Sequence, residues 1–174
     1  MRGGFLEQPN YTFVPKLDPL LISPLAGGEG SNTILQDIIL AWAIGSTSNS
    51  NTITIVKNGR LFGNGVGQQD RVGAAKLAIL RADDAARFAD KNLGAELPHE
   101  SSAPKCADLE NAVAYSDSFF PFPDAVEALI NRGIKTIFST SGSVNDEQII
   151  ELCKTKGVNF IMLPDSEARG FFHH

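Results

Sequence analysis

Hydrophobic and polar positions follow two rhythms along this chain, with a stretch at the start that follows neither. Up to about residue 30, glycine and proline recur (Gly3-Gly4, Pro9, Pro15, Pro19, Pro24, Gly27-Gly28) and no period is sustained, which predicts an extended arm with short strands lying over the domain. Ser31-Asn32 can then cap a helix whose apolar residues fall at Ile34, Leu35, Ile38, Ile39, Trp42 and Ala43. The polar run Gly45 to Asn51 ends it. Thr52–Lys57 and Arg60–Gly63 flank Asn58-Gly59, which predicts a β-hairpin whose tight turn needs positive φ at both central residues.

Beyond the hairpin, Gly63-Asn64-Gly65-Val66-Gly67 leads to Asp70, a cap for a helix with Val72, Ala75, Leu77, Ala78, Ile79 and Ala82 on its core side. From Asp90 to Ala107 the composition is polar, a surface excursion. Then strands and helices alternate: a strand near Ala112–Tyr115, a helix from Asp124 to Asn131, and a strand at Lys135–Phe138. The loop Ser139–Ser143 follows, then a helix from Asn145 to Lys156 and a last strand at Asn159–Leu163. This order predicts an α/β fold with three layers, α/β/α, and right-handed crossovers. The hairpin makes its sheet mixed. One domain over residues 1–174 fits the length, with 1–30 as its arm.

Composition narrows the function classes. With 43% hydrophobic and 20% charged residues the chain is ordinary for a soluble globular protein. The net charge of −5 argues against nucleic acid or an anionic membrane as partner, so an anionic ligand would need local donors. The run around Ile38–Ile44 is too short to span a bilayer, and Met1-Arg2-Gly3-Gly4 does not open a secretory signal. Cys106 and Cys153 form no metal or redox spacing, and the expected home is the cytoplasm. The histidines, His99, His173 and His174, match no zinc-deaminase or nucleophile pattern.

The densest chemical signal is Ser116-Asp117-Ser118-Phe119-Phe120-Pro121-Phe122-Pro123-Asp124. It reads as a stiff loop at the C-terminal end of a strand, where open α/β sheets place ligands. Its rings can stack on a planar heterocycle, and Asp124 stands at a helix start. Glycine at every second position, 63, 65 and 67, is not a dinucleotide fingerprint and reads equally as a strand bend or a ligand loop. Arg71, in the first turn of the next helix, suits a phosphate or carboxylate, although one arginine by itself is most often a surface charge. Ser139–Asn145 reads as a capping turn or as a loop whose Ser143 and Val144 amides face a bound group. Asn51, taken locally, is a turn residue that can also bond a carboxamide.

Taken in order, several segments resemble the formyltransferase domain of the AICAR transformylase family, which is usually fused to IMP cyclohydrolase. Arg2-Gly3-Gly4-Phe5-Leu6-Glu7-Gln8 is similar to its R-G-G-x-L-x-Q. Ser50-Asn51 with Lys57-Asn58-Gly59 is similar to its S-N…K-N-G. Gly63–Arg71 resembles G-I-G-x-G-Q-x-S-R, and Ser116–Asp124 resembles S-D-A-F-F-P-F-x-D, the most specific match. Ser141-Gly142-Ser143 and Phe172-His173-His174 complete the set.

The resemblance covers only the second half of that domain and implies a cytidine-deaminase-like subdomain. It implies transfer of a formyl group from 10-formyltetrahydrofolate, the co-substrate, to AICAR in purine (IMP) biosynthesis, with no metal required. By resemblance Asn51, Arg71, Phe119 and Arg169 meet the ribotide, and Val72, Asp124, Ser143 and Val144 meet the folate. The family's catalytic Lys-His pair, K-H-x-S-P-A-G, is absent from these 174 residues. The resemblance therefore implies a half-site needing that first half, from a homodimer or a partner chain. A non-catalytic ribotide or folate module, or a truncated paralogue, is the alternative. The chain departs from the family at Gly170, where arginine is usual and Arg169 stands one residue earlier. It departs also at Pro123, Ser46 and Asp70.

Overall fold

The computed structural model describes residue 4 and residues 10–17, 30–93 and 106–170. Five strands form one sheet in the order β2-β1-β3-β4-β5. The hairpin supplies β1 (Ile53–Lys57) and β2 (Arg60–Gly65), with Asn58 and Gly59 at φ of 51° and 69°, as its turn type demands. β1 also pairs antiparallel with β3 (Val113–Ser116), while β3, β4 (Thr136–Ser141) and β5 (Asn159–Pro164) run parallel. The predicted mixed sheet is present.

Residue alternation in the strands sorts the core into two faces. Ile53, Ile55, Ala114 and Ile137 face α2 (Arg71–Leu93), α3 (Asp124–Ile130) and α4 (Asp146–Thr155). Val56, Val113, Tyr115, Phe138 and Ile161 face α1 (Gly30–Gly45). Three layers result, with the βα turns of β3 and β4 at one edge of the molecule. A short α5 (Asp165–Ala168) follows β5 and was not expected.

Several boundaries differ from expectation. In α1 the buried residues are Ile38 and Ala41, while Ile39 is 44% exposed and Ala43 is exposed. The face turns because Gly45 must lie on the Tyr115 ring, where a Cβ would sit 2.4 Å from Cδ1. Asp37 is buried on that same helix because its carboxylate accepts the Asn58 and Gly59 N–H groups, each at 2.7 Å. α2 runs on to Leu93, and Ser139–Ser141 belong to β4 rather than to a loop. Residues 10–17 of the arm contain no strand. Tyr11 and Phe13 instead pack around Trp42, at centroid distances of 6.4 and 6.3 Å. The side chain of Ser31, the excursion around His99, and His173-His174 lie outside the described residues.

The glycine run also resolves. A Cβ at Gly63 or Gly65 would lie 2.0 Å from the carbonyl oxygens of Ala78 and Ala74, so these glycines let α2 rest directly on β2. Gly67, at φ of 68°, makes the turn into α2.

Candidate ligand-binding site

β3 delivers Asp117 to the sheet edge where the βα turns lie. Its carboxylate is 1% exposed, and Oδ1 accepts both the Thr52 N–H, at 2.7 Å, and Nη1 of Arg71. Its main-chain carbonyl accepts the Gly170 N–H at 2.7 Å. Asp117 thus joins the segments that carry several of the candidate residues. Asn51 precedes Thr52, Arg71 is bonded directly, Arg169 precedes Gly170, and Phe119 lies two residues further on.

Arg71 is the first residue of α2, and its position is set by Asp70, whose Oδ1 accepts the Gly73 N–H at 2.6 Å. The carboxylate it holds is internal. At 7% exposure, Arg71 is not the surface charge that an isolated arginine most often is. Asn51 donates both hydrogens of its side-chain amide to the chain, to Gln68 O at 2.9 Å and Gln69 O at 3.1 Å. Its Oδ1 keeps its acceptor capacity, with no hydrogen bond to the described residues.

Asp165 is a second centre. It accepts the Ser118 Oγ hydrogen at 2.8 Å and that of Thr140 Oγ1, and Oδ2 lies 2.8 Å from Nε of Arg169. That Arg169 pair is a charge contact, since Nε is not aligned for a hydrogen bond. The Arg169 guanidinium carbon stands 5.9 Å from the centroid of the half-buried Phe119 ring, a cation–π distance. Gly170 is fitted closely, because a Cβ there would be 2.8 Å from Cβ of Asp117. An arginine does not fit at 170 without a shift of the chain.

Of the remaining candidates, Asp124, Ser143 and Val144 lie at the βα turns after β3 and β4. Asp124 is exposed at the start of α3 and accepts the Ala125 N–H at 2.8 Å. Val144 is 98% exposed and Phe122 60%, which leaves apolar surface at the tips of the two loops. Asn145 ties those loops together by donating to Pro121 O at 2.6 Å. Ser143 Oγ accepts the Asn145 N–H at 3.1 Å, and the Gly142 N–H is taken by Asp146 Oδ2 at 2.7 Å. Side-chain hydrogen bonds hold this turn, the N-cap Asn145 makes no side-chain bond to the helix, and Val144 stands exposed beside it. Val72 is half-buried against the main core. A separate hollow of about 230 Å³, lined by Glu127, Ile130, Asn131, Leu152 and Lys156, lies toward the far ends of α3 and α4. Among the described residues, no cluster of three His, Cys, Asp or Glu could hold a metal ion. No helix there is long and apolar enough to cross a membrane.

Residues 1–81 match the family model of the AICARFT/IMPCHase bienzyme. The chain is similar to these bienzymes over part of their length. It is 34% identical over 171 residues to the bifunctional purine biosynthesis protein PurH of Prochlorococcus marinus (strain MIT 9312), covering 98% of this chain and 28% of that protein. It is 30% identical over 161 residues to PurH of Anoxybacillus flavithermus, covering 92% of this chain and 27% of that protein. The chain thus spans little more than a quarter of the PurH proteins it matches. Among solved structures, Acinetobacter baumannii RibD aligns over 74% of this chain and 35% of its own, at 18% identity and a TM-score of 0.43. A dCMP deaminase from the cyanophage S-TIM5 aligns over 74% and 97%, at 14% identity and a TM-score of 0.42.

Asp117 and Asp165, the two acids that organise the site, carried no assigned role in the sequence. The one available signal was position. Each directly follows the C-terminal end of a strand, β3 for Asp117 and β5 for Asp165.

Proposed function

We propose that this chain supplies one side of a purine-biosynthetic formyltransferase site of the PurH type, binding AICAR and 10-formyltetrahydrofolate. Asn51, Arg71, Phe119 and Arg169 meet the ribotide, and Val72, Asp124, Ser143 and Val144 meet the folate. The observation that carries this reading is the convergence on Asp117. Its carboxylate bonds Arg71 and the Thr52 N–H beside Asn51, and its carbonyl bonds the Gly170 N–H beside Arg169, so these segments meet at the strand end that leads to Phe119.

In the reaction, the AICAR amine attacks the formyl carbon, the bond from that carbon to folate N10 breaks, and the amine loses a proton while N10 gains one. The general base and the cation that stabilises developing charge lie outside these 174 residues. This chain binds and orients. Phe119 offers a face for the imidazole ring, Asn51 Oδ1 accepts from an N–H of the ligand, and Asp124 accepts from the folate ring.

The test is a formyl-transfer assay of the chain with and without a polypeptide carrying the family's K-H-x-S-P-A-G segment. Turnover only in the mixture is the expected result. Turnover by the chain alone places the base elsewhere. A second reading, a ligand-binding module without catalysis, is favoured by one feature: Arg169 is engaged with Asp165 and Phe119, and Gly170 occupies the position where the family has arginine. Binding of AICAR without turnover in the mixture selects it.

A further inference from the structure

We infer that Asp117 is the positioning residue of this site, fixing the direction in which the Arg71 guanidinium presents its remaining N–H groups. The inference rests on the reading of Arg71 as a ligand contact. Arginine carries five N–H donors in a rigid fork, so anchoring one end sets the aim of the others. The anchor is Oδ1 of Asp117, which meets Nη1. That oxygen is itself held, because it also accepts the Thr52 N–H at 2.7 Å. The same carboxylate therefore aligns the start of β1, next to Asn51, with the start of α2.

The side chain and main chain of Asp117 do separate work. The side chain joins β1 to α2, and the main-chain carbonyl docks Gly170 at 2.7 Å. A change confined to the side chain releases Arg71 and leaves the Gly170 bond in place. A carboxylate with general structural value would loosen both together. Asp117→Asn keeps the shape, loses the charge and replaces one of the two acceptor oxygens with an N–H₂ donor. Asp117→Glu keeps the charge but carries it one methylene further, and serves where the first variant folds poorly.

Two measurements on the whole chain test this. Side-chain ¹⁵N NMR follows hydrogen exchange at the Arg71 guanidinium, and backbone NMR follows the Gly170 amide. Asp117→Asn or Asp117→Glu speeds Arg71 exchange at least tenfold and leaves Gly170 within about twofold. Unchanged Arg71 exchange, or equal acceleration at Gly170, overturns the inference whether or not any ligand binds. Calorimetry with AICAR as the probe then runs through wild type, Asp117→Asn, Arg71→Ala and the double variant. About tenfold loss from Asp117→Asn when Arg71 is present, and none when it is absent, supports positioning. Equal losses in both backgrounds contradict it. Equal affinity in all four proteins removes Arg71 from the ligand site and defeats its role in the proposed function, while the exchange result still decides whether Asp117 fixes Arg71.

Discussion

Arg71 and Asp117, 46 positions apart, form an ion pair withdrawn from solvent at the head of α2, with side chains 7% and 1% exposed. Neither is accounted for alone. A buried guanidinium without a counter-charge, or a buried carboxylate without donors, costs several kcal/mol. Arg71→Met is therefore expected to lower stability by about 3–5 kcal/mol, because it leaves Asp117 charged and buried. Adding Asp117→Asn to that variant recovers part of the loss. Urea unfolding of the two variants checks this, and equal midpoints for the single and double variants contradict it.

The packing of α2 on β2 allows a second test. Gly65→Ala brings a methyl within 2.0 Å of the Ala74 carbonyl oxygen, and the backbone has to move. A loss of about 3 kcal/mol or more is expected, the upper range for overpacking. Gly67→Ala has no atom nearer than 3.9 Å but sits at φ of 68°, so its cost is the left-handed conformation alone, about 1–2 kcal/mol. Thermal melts of the two variants order them. The opposite order makes the ligand-loop reading of Gly65 the better one.

Acid sensitivity traces to Asp83. Burial by itself raises its pKa, but hydrogen bonds from Arg132 and the Ala107 N–H, with the charges of Arg132 and Arg87, outweigh burial and hold it below the ordinary value. The folded state thus holds this proton less tightly than the unfolded chain. The stability it contributes is present above the ordinary carboxylate value and fades as pH falls through the lowered one. Asp83→Asn lowers stability at neutral pH by about 1–3 kcal/mol and flattens the acid limb of a stability–pH curve. An unchanged limb assigns the sensitivity to other acids.

Tyr115 gives the opposite sign at high pH. Burial first, then the charges of Tyr11, Asp117 and Asp165, push its pKa well above the usual 10.0, against a smaller effect of Arg71. In the fold it stays neutral while the unfolded chain ionises, so stability falls as pH rises past about 10. Its hydroxyl has no hydrogen-bond partner among the described residues. Tyr115→Phe is expected to be neutral or stabilising by up to about 1 kcal/mol and to flatten the alkaline limb. A loss of more than about 2 kcal/mol assigns that hydroxyl a bound water or another partner.

Much of the architecture was legible because its causes are local. Asn58-Gly59 specifies its own turn, Asp70 its own cap, and the alternation of strand and helix from Val113 onward its own layers. In α1, Ile38 is buried and Ile34, Leu35 and Trp42 pack against the same cluster, as the spacing predicts, while Ile39 and Ala43 face outward and Gly45 meets the Tyr115 ring, a contact some 70 residues away. The sequence named candidate residues but not the two acids that join their segments. Hydropathy places Asp117 and Asp165 at the surface, and nothing near either residue announces an arginine 46 positions earlier or a threonine 25 positions earlier. The doubt over Gly63, Gly65 and Gly67 had a similar origin, since only the approach of α2 separates a packing glycine from a ligand-loop glycine.

The most direct test of the account is an NMR titration of the ¹⁵N-labelled chain with AICAR. The account predicts that the amides of Thr52, Arg71, Phe119 and Gly170 shift together and saturate at one ligand concentration, as neighbours joined through Asp117. Shifts confined to Ile130, Leu152 and Lys156 beside the α3–α4 hollow, or no shifts at saturating AICAR, would contradict it.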